Sequence, residues 1–253
     1  MTKRLLKIVK TIGQSRIFLE TDSSHALEAA LHSIILNRLR LEDYIKRHPS
    51  FPWALDPIEV RKDAPEVVRR MAAAARRAGV GPMAAVAGAL ADLALEAMAP
   101  YRASIKVVEN GGEVCALSSH PLILGVYAPP PVSHAIGFLL QPWEMPLGIG
   151  TSSVSLGGGF TFGEAELVTI FAVDAALADA AATAICNEVR GNFSDDSLRR
   201  ILSHALSIKG VYGALIMWNG RIGTIGRLPR VIRLRETQQR HLPSAFFLKV
   251  SSN

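Results

Sequence analysis

The chain begins by alternating. In LLKIVKTIGQSRIFLE, apolar positions recur at every second residue on both sides of a Gly-Gln-Ser turn, the pattern of a β-hairpin. The period then lengthens. Leu27, Leu31, Ile35 and Leu39 recur at helical spacing across residues 23–47, with Thr21, Asp22 or Ser23 available as an N-cap. After the connector HPSFPWALDP, a second helix is predicted over residues 65–77, closed by Gly79 and Gly81, and Pro82 opens a third, PMAAVAGALADLALEAM. SIKVVENGGEVCALSS reads as strand, turn, strand. Prolines at 129, 130, 131, 142 and 146 break up any helix between residues 121 and 146 and leave the short strands LILGVYA and IGFLL. The glycine- and hydroxyl-rich stretch GIGTSSVSLGGGFTFGEAE follows, read as a loop. ELVTIFAV is a buried strand and DAALADAAATAICNEV a second alanine-rich helix. A helix over residues 197–207 and the strands GALIMW and RIGTIG complete the pattern, before a polar tail after Arg235.

These elements predict an α/β (α+β) chain in which antiparallel sheet sections pack against alanine-rich helices. Residues 1–235 are expected to form one domain and residues 236–253 a polar tail. Both alanine-rich helices contain the tetrapeptide ALAD, ending at Asp92 and at Asp179. That match has two readings, an internal duplication or the shared composition of two alanine-rich helices.

Composition narrows the classes. Over 253 residues, 49% hydrophobic and 20% charged, there is ample material for a core, which excludes disorder and fibre. Lys3, Arg4, Lys7 and Lys10 interrupt the only segment placed to be a signal peptide, so a cytoplasmic location is expected. The apolar stretches 80–99 and 167–185 approach spanning length, yet Asp92 and Glu96 lie in the first and Asp174 and Asp179 in the second. Carboxylates are costly in a bilayer, so both stretches read as helices packed inside a protein, with no membrane partner. Cys115 and Cys186 form no CxxC pair and have no histidine at ligand spacing, which argues against a zinc site or a disulfide framework. The net charge of +6 favours anionic partners. Ten cations between Arg190 and Arg240 keep a nucleic-acid reading open, but no stacking signature for RNA accompanies them, and a solvated basic surface is the competing reading.

Three segments carry candidate chemistry. In VENGGE, Glu109 to Glu113, the residues Asn110, Gly111 and Gly112 favour positive φ, so successive amides can converge on an anion; an ordinary hairpin turn explains the same residues. In GIGTSSVSLGGG, the hydroxyls of Thr151, Ser152, Ser153 and Ser155 lead into Gly157, Gly158 and Gly159, a combination suited to phosphate or ribose oxygens. It matches neither a P-loop nor a dinucleotide fingerprint. Asp179 and Thr183 stand four apart on one helix face and offer hard oxygen ligands for Mg²⁺. Asp179 is expected to face solvent, so that Asp179→Asn would leave the fold intact.

Taken in order, GVGPMAAVAGALAD, VENGGE, GIGTSS and ALADAAATAICN resemble a family related to the ApbE flavin transferases, over about residues 16–231. The resemblance implies an α/β fold of the tunnelling type and a phosphorylated small-molecule ligand, FAD or FMN, with Mg²⁺ and a flavoprotein target as further partners in true transferases. It places metal ligands at Asp179 and Thr183, the glycine pair at Gly111 and Gly112, and the glycine and aspartate of the third helix at Gly88 and Asp92. The chain departs from the transferases in two places: a lysine of that helix is Ala87, and a histidine near the glycine-rich loop is Gly158 or Gly159. Losing a general base costs a factor of ~10² to 10⁴ in rate. The resemblance therefore implies flavin-nucleotide binding with weakened transfer, with a Mg²⁺-dependent transferase or FAD pyrophosphatase as the alternative.

Overall fold

The opening alternation forms two strands, β1 (Leu6–Ile12) and β2 (Ser15–Thr21), paired antiparallel with Leu6 opposite Thr21 and Ile12 opposite Ser15. Gly13, at φ +58°, makes the reversal. This computed structural model describes residues 4–126, 136–154, 162–234 and 250–251. Ser23 caps α1 (Ser24–Arg47): its hydroxyl accepts the Ala26 N–H at 3.3 Å. The helix buries Ala26, Ala30, Ile34, Leu41 and Tyr44, one stripe at helical spacing. Helix α2 (Glu66–Ala78) ends at Gly79 in the left-handed region, and a short 3-10 turn at Pro82–Ala85 leads into α3 (Val86–Ala97).

The rest of the chain is mainly strand. It contains β3 (Ile105–Asn110), β4 (Glu113–Ser118), β5 (Leu122–Val126), β6 (Ile136–Leu140), β7 (Leu147–Ser152) and β8 (Leu167–Ala172). Two helices follow, α4 (Ala175–Glu188) and α5 (Asp195–Ser207), and then β9 (Val211–Trp218), β10 (Arg221–Gly226), β11 (Arg230–Arg233) and β12 (Val250–Ser251).

Eight strands form one sheet in the order β1-β2-β3-β4-β7-β8-β9-β10, with every neighbouring pair antiparallel, and β11-β6-β5-β12 form a second. Strand alternation sends the two faces of the large sheet to different partners. Val108 and Cys115 pack with Ala26, Ala30, Ala91 and Ala94 beneath α1 and α3. Their neighbours Val107, Val114 and Ala116 pack with Leu122, Leu124, Phe138 and Leu140 of the small sheet. Phe138 meets Phe171 edge to face across that second interface, at 4.9 Å between centroids. The result is three layers: helices, large sheet, small sheet.

The large sheet is built of two successive blocks, each two strands, intervening helices and two strands. The two ALAD segments hold different places in them. Helix α3 leads into the third strand of its block, whereas α4 follows the second strand of its own.

Two expectations are corrected by the fold. GIGTSS is not a loop: residues 147–152 are the strand β7, buried through Gly150. A β-carbon on Gly148 would lie 2.0 Å from the Asp174 carbonyl carbon, and one on Gly150 2.3 Å from that of Ala178. These glycines let α4 lie directly on the sheet backbone. Ser155, Gly157, Gly158, Gly159, the prolines at 129–131 and most of the tail lie outside the described residues. The stretch 167–185 is not one helix: its first part is the strand β8, which completes ladder hydrogen bonds with β7 and β9, and only the part from Ala175 is helical, in α4. No single helix among the described residues is long and apolar enough to cross a membrane.

Candidate functional site

Helices α3 and α4 run antiparallel and in close contact, because the sequence supplies small residues where they meet. A β-carbon on Gly88 would lie 2.1 Å from the Ala175 carbonyl oxygen. The first amides of any helix have no partner within it and carry partial positive charge. Here each helix satisfies the other's. Asp92 of α3 accepts the Ala175 N–H on Oδ1 and the Ala176 N–H on Oδ2, both at 2.9 Å. Asp179 of α4 accepts the Gly88 N–H on Oδ2 at 2.9 Å, and the Ala87 N–H also points at that carboxylate.

The NGG turn joins β3 to β4 beside this crossing. Gly111 at φ +68° and Gly112 at φ +114° make the reversal with backbone that other residues rarely adopt. The turn is tied on both sides. Asn110 Nδ2 donates to the Ala87 carbonyl at 3.0 Å, and Thr151 Oγ1 at the end of β7 donates to the Gly112 carbonyl at 3.4 Å. The Glu113 carboxylate accepts the Thr151 N–H and faces Asp179. Gly88, Asn110, Gly111, Gly112, Glu113, Thr151 and Asp179 are thus brought together. Half-buried Thr183 follows one helical turn beyond Asp179. Ser152 is half-buried at the end of β7, whereas Ser153 is turned away, its hydroxyl donating to the Glu166 carbonyl at 2.6 Å. Asp92 sits one turn further along α3, with both carboxylate oxygens occupied by α4.

The site gathers several buried carboxyls with few cations near them. Burial pushes the Asp179 carboxyl up to about 7 against the pull of the Gly88 and Ala87 amides, and burial takes Asp92 to about 7 as well. Glu113 lies well above the ordinary glutamate range, driven by burial and then by the neighbouring Asp179. On the opposite face of the sheet burial raises Glu109 to about 8, with Arg16 opposing. The expectation of a solvent-facing Asp179 is therefore corrected. Its side chain is buried, because α3 and the VENGGE segment cover the face of α4 that carries it.

This donor set fits Mg²⁺. Two adjacent buried carboxyls held above their usual range, with a hydroxyl one turn away, are hard oxygens that a divalent cation would compensate. Among the described residues no group of three or more His, Cys, Asp or Glu has metal-holding geometry. Mg²⁺ can be held by one or two carboxylates, with water and substrate phosphates completing its shell.

Comparison with known proteins bears on the arrangement. The family described as AbpE bacteria matches the chain over residues 5–215. The chain belongs to that family. The UPF0280 protein of Methanocaldococcus jannaschii is 37% identical over 225 residues, spanning 88% of this chain and 91% of the relative. The UPF0280 protein of Methanocella arvoryzae is 39% identical over 203 residues, spanning 80% and 82%. Among solved structures, the ApbE protein of Thermotoga maritima superposes with a TM-score of 0.57 at 15% identity, covering 87% of this chain and 96% of that one. The flavin transferase ApbE of Vibrio cholerae superposes with a TM-score of 0.53 at 12% identity, covering 88% and 97%. At these identities the likeness carries the fold, which is ApbE-like.

Within this member of the AbpE family, several features of the site had no local signal. The reciprocal capping joins residues 83 and 91 positions apart. Only the repeated ALAD hinted that the two aspartates were related. The facing of Glu113 and Asp179 had no signal at all, since it depends on which face of β4 lies beneath α4. Two further polar contacts at the far end of α4, made by Asn187 and Glu164, were also missed.

Proposed function

We propose that this chain binds a flavin nucleotide, FAD or FMN, or a closely related phosphorylated ligand beside the NGG turn, and transfers it poorly if at all. The observation that carries the reading is the convergence of the turn, the start of α3 and the facing pair Glu113 and Asp179. Asn110, Gly111, Gly112, Glu113, Thr151 and Ser152 would line the ligand, while Asp92, Gly88 and the inward-turned Ser153 shape the ground beneath it. Asp179 and Thr183 would hold Mg²⁺, which supplies positive charge against the ligand's phosphates. Poor transfer follows from Ala87. Its carbonyl is engaged by Asn110, and its side chain has no atom able to carry a proton where the transferases' resemblance places a lysine.

The raised Glu113 favours a second reading, a Mg²⁺-dependent FMN transferase or FAD pyrophosphatase acting on a flavoprotein target. A carboxyl pushed toward its protonated form by burial and by a neighbouring carboxyl is suited to deliver a proton.

Thermal melts test the binding claim, because a ligand that binds only the folded state stabilises it by RT ln(1 + [L]/Kd). FAD or FMN near millimolar concentration with Mg²⁺ is expected to raise the melting temperature. No shift from either, with and without Mg²⁺, would sink the reading. Incubation of the protein with FAD and Mg²⁺ separates the two readings: at most slow release of AMP supports binding, and rapid release or FMN transfer to a threonine peptide supports the enzyme.

A further inference from the structure

Phe162 is a large apolar residue left 50% exposed although its backbone is firmly held. Its N–H donates to Asn187 Oδ1 at 2.7 Å. Gly163 presses against the last turn of α4, where a β-carbon would fall 1.5 Å from the Cys186 carbonyl oxygen. Glu164 donates its N–H to the Val189 carbonyl at 2.6 Å, and its carboxylate accepts the Gly191 N–H at 2.9 Å. Residues 162–164 are thereby fixed to the end of α4, and the Arg190 guanidinium lies over the Phe162 ring at 5.9 Å from its centroid.

The helix links this end to the carboxylates. Asp179, Thr183 and Asn187 follow one another at four-residue intervals and so form one stripe along α4. A rise of 1.5 Å per residue separates Asn187 from Asp179 by about 12 Å along the axis. That span is comparable with the reach from the diphosphate of a dinucleotide to one of its rings. An aromatic ring on fixed backbone, with a planar cation against it, is suited to stack a flat heteroaromatic ligand at little ordering cost.

We propose that Phe162, with Arg190 across it, is the stacking platform for the planar ring of the phosphorylated ligand, whose phosphate end lies toward Asp179 and Thr183. The inference rests on the flavin-nucleotide reading of the site and adds where the ring goes. Either ring of a dinucleotide has the required chemistry, so the test separates them: FMN carries only the isoalloxazine, ADP only the adenine, and FAD both.

Calorimetric titration of the wild type, Phe162→Ala, Phe162→Trp and Arg190→Ala with FMN, FAD, ADP and inorganic pyrophosphate, each with Mg²⁺, decides it. Stacking on an aromatic side chain contributes about 1–3 kcal/mol per base, so Phe162→Ala is expected to weaken the ring-bearing probe about fivefold or more. Pyrophosphate binding should stay within about twofold, and Phe162→Trp should restore affinity. Loss confined to FMN and FAD assigns the isoalloxazine, and loss confined to ADP and FAD the adenine. If Phe162→Ala weakens pyrophosphate as much as the ring-bearing probes, or weakens none of them, the platform is wrong while the flavin reading stands. A wild type that binds none of FMN, FAD or ADP removes both.

Discussion

The two ALAD segments set their aspartates against the starts of each other's helices, but the surroundings of the two carboxyls differ. Asp92 has both oxygens occupied, one by Ala175 and one by Ala176, and the Arg70 guanidinium lies close enough to favour its ionised form. Asp179 accepts the Gly88 N–H through Oδ2, with the Ala87 N–H also directed at it, and adjoins a second buried carboxyl, Glu113, with Thr183 one turn beyond. Both are buried and both are pushed up to about 7. A buried carboxylate whose lone pairs are filled by helix amides is explained by the fold. Asp92 has the half-buried Asp174 as an acidic neighbour besides Asp179, whereas Asp179 adjoins the buried Glu113, and a pair of buried carboxyls is a candidate for use by a cation or a reaction. The same tetrapeptide thus gives a structural acid at one end of the helix pair and a candidate functional acid at the other.

The most damaging change removes the distinction by separating the helices. Gly88→Val puts a branched side chain where the Ala175 carbonyl already sits, and backbone on both sides leaves nothing that can give way. Both caps are lost together. The expected cost is about 4 kcal/mol or more, read as a collapse of the urea midpoint or of soluble yield. A Gly88→Val protein of near-normal stability would show that the helix contact is not what seats the two aspartates.

Gly88 also marks the limit of what a sequence can disclose. The hairpin at Gly13, the Ser23 cap and the left-handed Gly79 were legible because their causes lie within a few residues. Gly148 and Gly150 were misread as loop glycines because their cause is the backbone of α4, some 27 residues downstream and invisible to local periodicity. The site divides the same way. VENGGE and the Asp179–Thr183 spacing stood out as patterns, while burial of Asp179 and its pairing with Glu113 depend on how the layers stack. Thr183 at its helical spacing was correctly located on α4, yet nothing in the spacing distinguished an exposed face from a covered one.

The next largest effect concerns Asp92 and pH. Its carboxyl is raised by burial from an ordinary 3.8 to about 7, so the folded state holds the proton more tightly than the unfolded chain does. Stability from this group is therefore full below about pH 4 and is lost as pH rises to about 7. A shift of about 3 units corresponds to at most about 4 kcal/mol. Asp92→Asn removes the titration and aims an amide N–H₂ at one of the two helix amides, at a cost of about 2 kcal/mol at pH 5. Urea unfolding across pH 4–8 is expected to show the gap between wild type and Asp92→Asn narrowing as pH rises. A constant gap would mean that Asp92 is ionised throughout and that its two amide partners outweigh burial.

The smallest effect on stability belongs to Asp179→Asn, and it separates the two aspartates most sharply. The new amide oxygen still accepts the Gly88 N–H, and removing the charge relieves repulsion with Glu113. The two changes oppose each other, so the expected loss is about 1 kcal/mol or less. The fold survives for this reason and not because the side chain faces solvent. Function is expected to respond in the reverse order. If Asp179 and Thr183 hold Mg²⁺, Asp179→Asn should abolish the part of flavin affinity that depends on Mg²⁺, about tenfold or more, because a neutral amide is a far poorer ligand for a hard dication. Asp92→Asn, costlier to the fold, should leave that part unchanged at a temperature where the variant is folded. Titrating FMN with and without Mg²⁺ into both variants gives the comparison directly. Equal loss of Mg²⁺ dependence in the two would mean that the metal responds to the helix pair as a whole, and the functional distinction between the two aspartates would fall.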